Sequence, residues 1–165
     1  MNSVNRIIYP YLPEGRIIKY VPPSCLYIME AKRVAQELSL DKNMTVGSII
    51  VKNRTLLGIG ANGSDYHKTN KCERVLRGIP TGQGYDLCEG CHPKNHSEAK
   101  AIANARRLNE DLQGASIYTW GHWWCCEECW KKMIEVGIQD VYLMTGSDVL
   151  FNKGHPDNIV GKQYG

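Results

Sequence analysis

Apolar residues recur at helical spacing in some stretches and at alternating spacing in others, and the switches between the two periods divide the chain into elements. From Ser24 to about Leu40, the residues Leu26, Ile28, Met29, Val34, Ala35 and Leu38 favour one face of a helix, with Ser24 as its N-cap. Two β-rich runs follow, MTVGSIIVKN at 44–53 and TLLGIGANG at 55–63. The short polar turn KNR joins them, which predicts a β-hairpin ending at Asn62-Gly63. Residues 97–108 are strong helix formers with Ser97 near their start, and ASIYTW at 115–120 reads as a strand after a glycine break. CCEECWKKMIEVG at 125–137 predicts a third helix closed by Gly137, and IQDVYLMTG at 138–146 a further buried strand. This helix-strand-helix-strand order implies right-handed crossovers onto a partly parallel sheet, an α/β architecture.

Three stretches carry no such pattern. Pro10, Pro13, Pro22 and Pro23 forbid a continuous helix over residues 1–24, which are expected to form an extended arm over a domain spanning 25–165. Between about 64 and 95 lies a polar insertion too long for an ordinary connection, and the tail after 146 is polar and weakly patterned. No internal repeat or low-complexity segment stands out.

Composition narrows the class. The 165 residues suit one domain, and 42% hydrophobic with 22% charged residues is ordinary for a globular protein. No apolar run is long enough to cross a bilayer, and the first residues do not read as a secretory signal, so a cytoplasmic location without a membrane partner is expected. A net charge of +3 is too small to point to nucleic acid, and NARR at 104–107 and KK at 131–132 read as solvated helix faces. The seven cysteines say more. Six of them fall between 72 and 129, and in a reducing compartment such clustering favours metal binding or catalysis over disulfides.

His96 and Glu98 stand where the second helix begins, and Cys126 and Cys129 where the third begins. Helix starts are positive dipole ends that stabilise thiolates. One imidazole and two thiolates suit tetrahedral Zn²⁺ with an open fourth position, whose water the metal acidifies. Glu98 would then move that water's proton to a substrate. A purely structural zinc site is the rival reading, but such sites are usually closed by four protein ligands and give Glu98 no purpose. Cys125 is an alternative ligand, with Cys126-x-x-Cys129 the preferred spacing. A second cluster, Cys72, Cys88 and Cys91 with His92 or His67, has spacing for a structural Zn²⁺ that would order the insertion. Three unliganded thiols in a flexible loop, or a disulfide formed on oxidation, are the alternatives there.

HSE at 96–98 followed by CCEEC at 125–129 resembles the H-x-E … P-C-x-x-C signature of the zinc-dependent cytidine and deoxycytidylate deaminase superfamily. TVGSIIVKNRTLLGIGANGS at 45–64 is similar to the hairpin before the active site of the deoxycytidylate type, and GIQDVYLMTG to the strand after the metal-binding helix. The resemblance covers roughly 25–146. It implies a three-layer α-β-α fold with a mixed central sheet, His96, Cys126 and Cys129 as zinc ligands, Glu98 as proton shuttle and Asn62 as a substrate contact. It also implies a homo-oligomer, and some deoxycytidylate deaminases are similar in holding a second zinc in this insertion. Two departures fall beside the base pocket: Cys125 stands where the family usually has proline, and WGHWW enlarges the preceding loop, bringing His122, Trp123 and Trp124 into consideration as pocket residues.

The expected function is hydrolytic deamination of a cytosine-type nucleotide, dCMP-like or CMP-like, with Lys68, Lys71 or Arg74 available to the phosphate. Other amine-bearing substrates share the same centre: cytidine, guanine, a riboflavin-pathway pyrimidine or a tRNA base. A non-catalytic zinc-binding scaffold is the alternative of a different class.

Overall fold

Backbone pairing begins earlier than the apolar pattern indicates. The structure, a computed structural model, describes residues 7–41, 44–80 and 83–160. Within the expected arm, Ile18–Val21 forms strand β1, in which only Ile18 is buried. Helix α1 (Leu26–Leu38) follows, with Cys25 rather than Ser24 at the N-cap, because the Pro22-Pro23 turn closes with a hydrogen bond from the Cys25 amide to the Pro22 carbonyl. It buries Ile28, Ala31, Val34 and Ala35. Leu26, Met29 and Leu38, expected on the same face, are exposed instead. Small residues at 31 and 35 set the seam, so α1 rotates its alanines toward the sheet.

Strands β2 (Gly47–Lys52) and β3 (Thr55–Ala61) form the predicted hairpin. Its turn is the two-residue pair Asn53-Arg54, both at positive φ of 51° and 63°, the twist that suits a tight hairpin. In the insertion, helices α2 (Tyr66–Thr69) and α3 (Glu73–Leu76) and three 3-10 turns at Tyr85–Leu87, Glu89–Cys91 and Pro93–Asn95 replace the featureless loop. Helix α4 (Ser97–Arg107), strand β4 (Ser116–Trp120), helix α5 (Glu127–Glu135) and strand β5 (Asp140–Met144) come next, and α6 (Ser147–Leu150) ends the regular structure.

The five strands lie in the order β1-β5-β4-β2-β3. β5 runs parallel to both β1 and β4, while β2 is antiparallel to β4 and β3, giving a mixed sheet. Alternation along the strands sorts side chains to two faces. Ile50, Ile117, Val141 and Leu143 pack with Ala101, Ala105, Trp130 and Met133 from α4 and α5. Ile49, Val51, Trp120 and Met144 pack with α1 and with Phe151. Phe151 anchors the otherwise polar tail, its ring edge-on to Trp120 at 5.0 Å.

Glycines let α4 descend onto the sheet. A Cβ on Gly58 would lie 2.6 Å from the Ala101 carbonyl oxygen, and one on Gly60 would collide with the backbone of Ser97 and Ala101. Asn104 fixes the register of that contact, its Oδ1 accepting the Ile59 amide at 2.9 Å. Helix α4 is thereby held against the hairpin end of the sheet, on β3 and its neighbour β2. Among the described residues, no helix is long and apolar enough to cross a membrane.

Candidate active site

Two helix starts converge on one point. His96 is the N-cap residue of α4, which follows the 3-10 turn Pro93–Asn95, and Cys126 is that of α5, which follows β4 after a short loop. Cys126 Sγ accepts the Cys129 amide at 3.4 Å, a sulfur version of N-capping. His96 Nδ1 lies 3.4 Å from Cys126 Sγ and 3.5 Å from Cys129 Sγ. The three donor atoms all fall within 4.8 Å of one another.

Their electrostatics reinforce each other. Cys126 is held down to a pKa of about 5 by the Cys129 thiol and the His96 ring, against the effect of burial. Cys129 moves the opposite way, well above its usual value, because it donates to the Cys126 thiolate and is buried. For His96, burial opposes the charged ring, but the Cys126 thiolate beside it leaves the pKa raised. The arrangement thus favours the thiolate at Cys126 over the thiol. Glu98, at 5% exposure, sits in the first turn of α4, and burial raises its pKa while His96 and the Ser97 hydroxyl act against that rise. Ser97 Oγ donates to Glu98 Oε1 at 2.8 Å.

His96, Ser97, Glu98 and Cys126 line a cavity of about 950 Å³. Asn62 lines it too, although its amide is largely engaged in bracing the chain: Oδ1 accepts from Ser39 Oγ at 2.5 Å and from the Val46 amide at 2.9 Å, and Nδ2 donates to the Met44 carbonyl at 2.7 Å. One amide hydrogen remains. His122 and Trp124 line the same cavity, with their rings edge-on at 5.1 Å. Trp123 instead stacks on Tyr9 of the N-terminal arm. His122 Nδ1 accepts the Trp123 and Trp124 amides at 3.1 and 3.2 Å, which places the ring proton on Nε2, and burial lowers its pKa to about 3. Cys125 is 1% exposed and packs in the core with Ile117 and Met133, outside the donor cluster.

The second cysteine cluster also closes. Cys72, Cys88 and Cys91 bring their sulfurs within 4.8 Å of one another, with Cys72 and Cys91 at 3.5 Å. His92 is not in that group; its Nδ1 accepts the Lys94 amide at 3.1 Å. The side chains of His67 and Lys68 lie outside the described residues. Lys71 and Arg74 line the cavity. Among the lining residues that sequence pattern missed are Tyr85 and Lys153, which come from the insertion and the tail, where neither periodicity nor a motif marks a position.

The donor set fits zinc: one imidazole nitrogen and two sulfurs, soft and borderline ligands brought together by the fold, with the Cys126 thiol shifted toward its ionised form. The cytidine and deoxycytidylate deaminase zinc-binding region matches residues 24–145. Human deoxycytidylate deaminase is 31% identical over 122 residues, covering 72% of this chain and 63% of that protein. An uncharacterized deaminase of Aliivibrio fischeri is 29% identical over 107 residues, covering 63% of this chain and 60% of that protein. The chain thus spans less than two thirds of the length of either curated relative. Among solved structures, the apo dCMP deaminase of cyanophage S-TIM5 is similar at 23% identity, covering 77% of this chain and 87% of that one, with a TM-score of 0.48. Because the zinc-binding family match runs from just before α1 to the end of β5, and so takes in both helix starts and every donor between them, this chain belongs to the cytidine and deoxycytidylate deaminases.

Proposed function

We propose that the chain catalyses hydrolytic deamination of a cytosine-type nucleotide, a dCMP-like or CMP-like monophosphate, converting water and the aminopyrimidine to the uracil form and ammonia. The observation that carries this reading is the Glu98 carboxyl, buried beside His96, Cys126 and Cys129 and lining the same cavity. Zinc held by those three side chains supplies Lewis acidity that brings the pKa of a water toward neutrality. Glu98 takes one proton of the attacking water and delivers it to the ring nitrogen as the hydroxyl adds to the amine-bearing carbon; it then takes the proton of that added hydroxyl and passes it to the amine, and the C–N bond breaks to release ammonia as the ring carbonyl forms. Burial, which raises its proton affinity, suits a group that must both accept and return a proton.

The remaining lining residues support a nucleotide. Trp124 offers an aromatic surface to a base, and His122, with its proton on Nε2, offers a neutral donor to a ring carbonyl. Asn62 retains one amide hydrogen for the sugar. Lys71, Arg74 and Lys153 give the cavity three cationic side chains for a phosphate, a charge balance that favours a monophosphate over a free base. The three sulfurs of Cys72, Cys88 and Cys91 are read as a structural zinc site that orders the insertion. This reading carries with it a cytoplasmic, homo-oligomeric enzyme. Ammonia release from cytosine, cytidine, CMP, dCMP, guanine and adenosine, with zinc measured on the same sample, tests it. Selective turnover of a monophosphate is expected; a zinc-loaded protein inert to the whole panel overturns the substrate assignment.

A further inference from the structure

Behind Glu98, on the side of the carboxyl that faces the sheet, three hydroxyls are buried with nothing else polar to explain them. Ser48 and Thr119 are cross-strand partners on β2 and β4, and both are 0% exposed. Strand alternation sends them to the face that carries Ile50 and Ile117, the face on which α4 lies. Because Gly60, the β3 partner of Ser48, has no side chain, the start of α4 sinks until Ser97 Oγ reaches Ser48 Oγ at 2.7 Å. Ser48 Oγ is in turn 2.7 Å from Thr119 Oγ1. Ser97, 1% exposed, hands the chain on to Glu98 Oε1 at 2.8 Å.

Counting protons gives the chain a direction. Each hydroxyl owns one hydrogen, and an ionised carboxylate only accepts. Ser97 therefore donates to Glu98, Ser48 donates to Ser97, and Thr119 donates to Ser48. Each bond polarises the next, so the dipoles add toward the carboxylate. An apolar trio of the same shape would fill this part of the core without any hydrogen bonds to satisfy, and among the described residues the group outside the trio that its side-chain bonds reach is Glu98.

We propose that Ser97, Ser48 and Thr119 are positioning residues for the deamination, a one-way hydroxyl chain that fixes Oε1 of Glu98 as an acceptor and leaves proton transfer to the other carboxylate oxygen. The inference rests on the reading of Glu98 as the proton shuttle. Ser97 touches Glu98 directly, whereas Ser48 and Thr119 act only through it, so their effect falls on the rate and not on substrate affinity.

Thr119→Val is the informative variant. It is close to isosteric, and it removes the first donor without stranding another, since Ser48 still donates to Ser97. With dCMP as substrate, Thr119→Val should lower kcat by about fivefold to tenfold, the effect of one net hydrogen bond, while KM and zinc content stay unchanged. Thr119→Ser, which keeps the hydroxyl but loses the methyl, should rescue most of that loss. Equal kcat in the Val and Ser variants, both zinc-loaded, overturns the proposal. A second readout does not need turnover: the Glu98 side-chain carboxyl ¹³C resonance, assigned by its disappearance in Glu98→Gln. It should shift in Thr119→Val and Ser48→Ala and return toward the wild-type position in Thr119→Ser. A resonance that ignores the hydroxyls overturns the chain even in a protein that deaminates none of the panel. A resonance that follows them in a protein inert to dCMP keeps the chain and removes the substrate assignment.

Discussion

The ring of Tyr85 meets that of His96 edge-on, 4.8 Å between centroids, and the Arg74 guanidinium lies 4.4 Å from the centre of the same Tyr85 ring. A residue of the polar insertion thus touches a residue of the metal centre, and a cation carried by α3 rests on it. Arg74 is further tied to the insertion by bonds to the Gln83 and Pro80 carbonyl oxygens, both at 2.8 Å. Whatever orders the insertion also places Tyr85 against His96.

If the three cysteines of the insertion hold zinc, metal analysis of the wild-type protein gives two zinc ions per chain and the double variant Cys88→Ser, Cys91→Ser gives one. The same variant should raise KM more than it lowers kcat, because the insertion lines the cavity but contributes none of the proposed reacting groups. A content of one zinc per chain in both proteins removes the second site.

Replacing Glu98 by Gln keeps the shape of the side chain and removes its ability to carry a proton. Zinc content should be unaffected, and turnover should fall by about 10²–10⁴-fold. His96→Ala, in contrast, should lose both zinc and turnover. Normal ammonia release by Glu98→Gln rules out the mechanism, whatever the substrate.

Gly60→Ala tests the close approach of α4 to the sheet. The added methyl meets the Ser97 and Ala101 backbone, which cannot move without displacing the helix. Destabilisation by about 1–3 kcal/mol is expected in urea unfolding. Because Ser97 and Glu98 sit at the displaced end, kcat should fall as well, whereas an alanine placed in an exposed loop should do neither.

His122 makes stability depend on pH in a defined window. Its ring is kept neutral in the fold, with a pKa lowered from 6.5 to about 3, chiefly by burial. Between those values the unfolded chain binds a proton that the folded chain refuses, so stability is lost as pH falls from about 6.5 toward about 3. His122→Asn, whose side-chain oxygen can still accept the Trp124 amide, removes that proton uptake. Urea titrations at about pH 7 and about pH 5 should show the wild type losing more stability than the variant; parallel losses contradict the assignment of a neutral ring.

Sequence pattern reached the hairpin, the two helix starts and the His96, Cys126 and Cys129 grouping, because each is marked by a local signal: alternation, a cap position, a fixed cysteine spacing. It did not reach β1, whose single buried residue leaves no alternation to read and whose pairing depends on β5 far along the chain. It turned α1 the wrong way for Leu26, Met29 and Leu38, since hydrophobicity alone favours large residues where close packing on the sheet selects Ala31 and Ala35. In the insertion, four-residue helices are too short to show a period. Asn62-Gly63 carries the signature of a turn, but nothing local discloses that Ser39, Met44 and Val46 occupy most of its amide. The hydroxyls of Ser48 and Thr119 were equally silent, as isolated Ser and Thr in a strand say nothing about each other until the register is known.

The parallel pairing of β1 with β5 sets the order in which the molecule can be completed. Ile18 pairs with Val141, and Arg16 reaches the Ile138 carbonyl oxygen across 122 positions. The β1–β5 ladder is therefore a long-range pairing that cannot form before β5 exists, whereas the β2–β3 hairpin closes between neighbours in sequence. As an edge strand with one neighbour, β1 depends on β5 alone for its ladder, so the slowest-forming contacts of the sheet lie on the edge away from the hairpin.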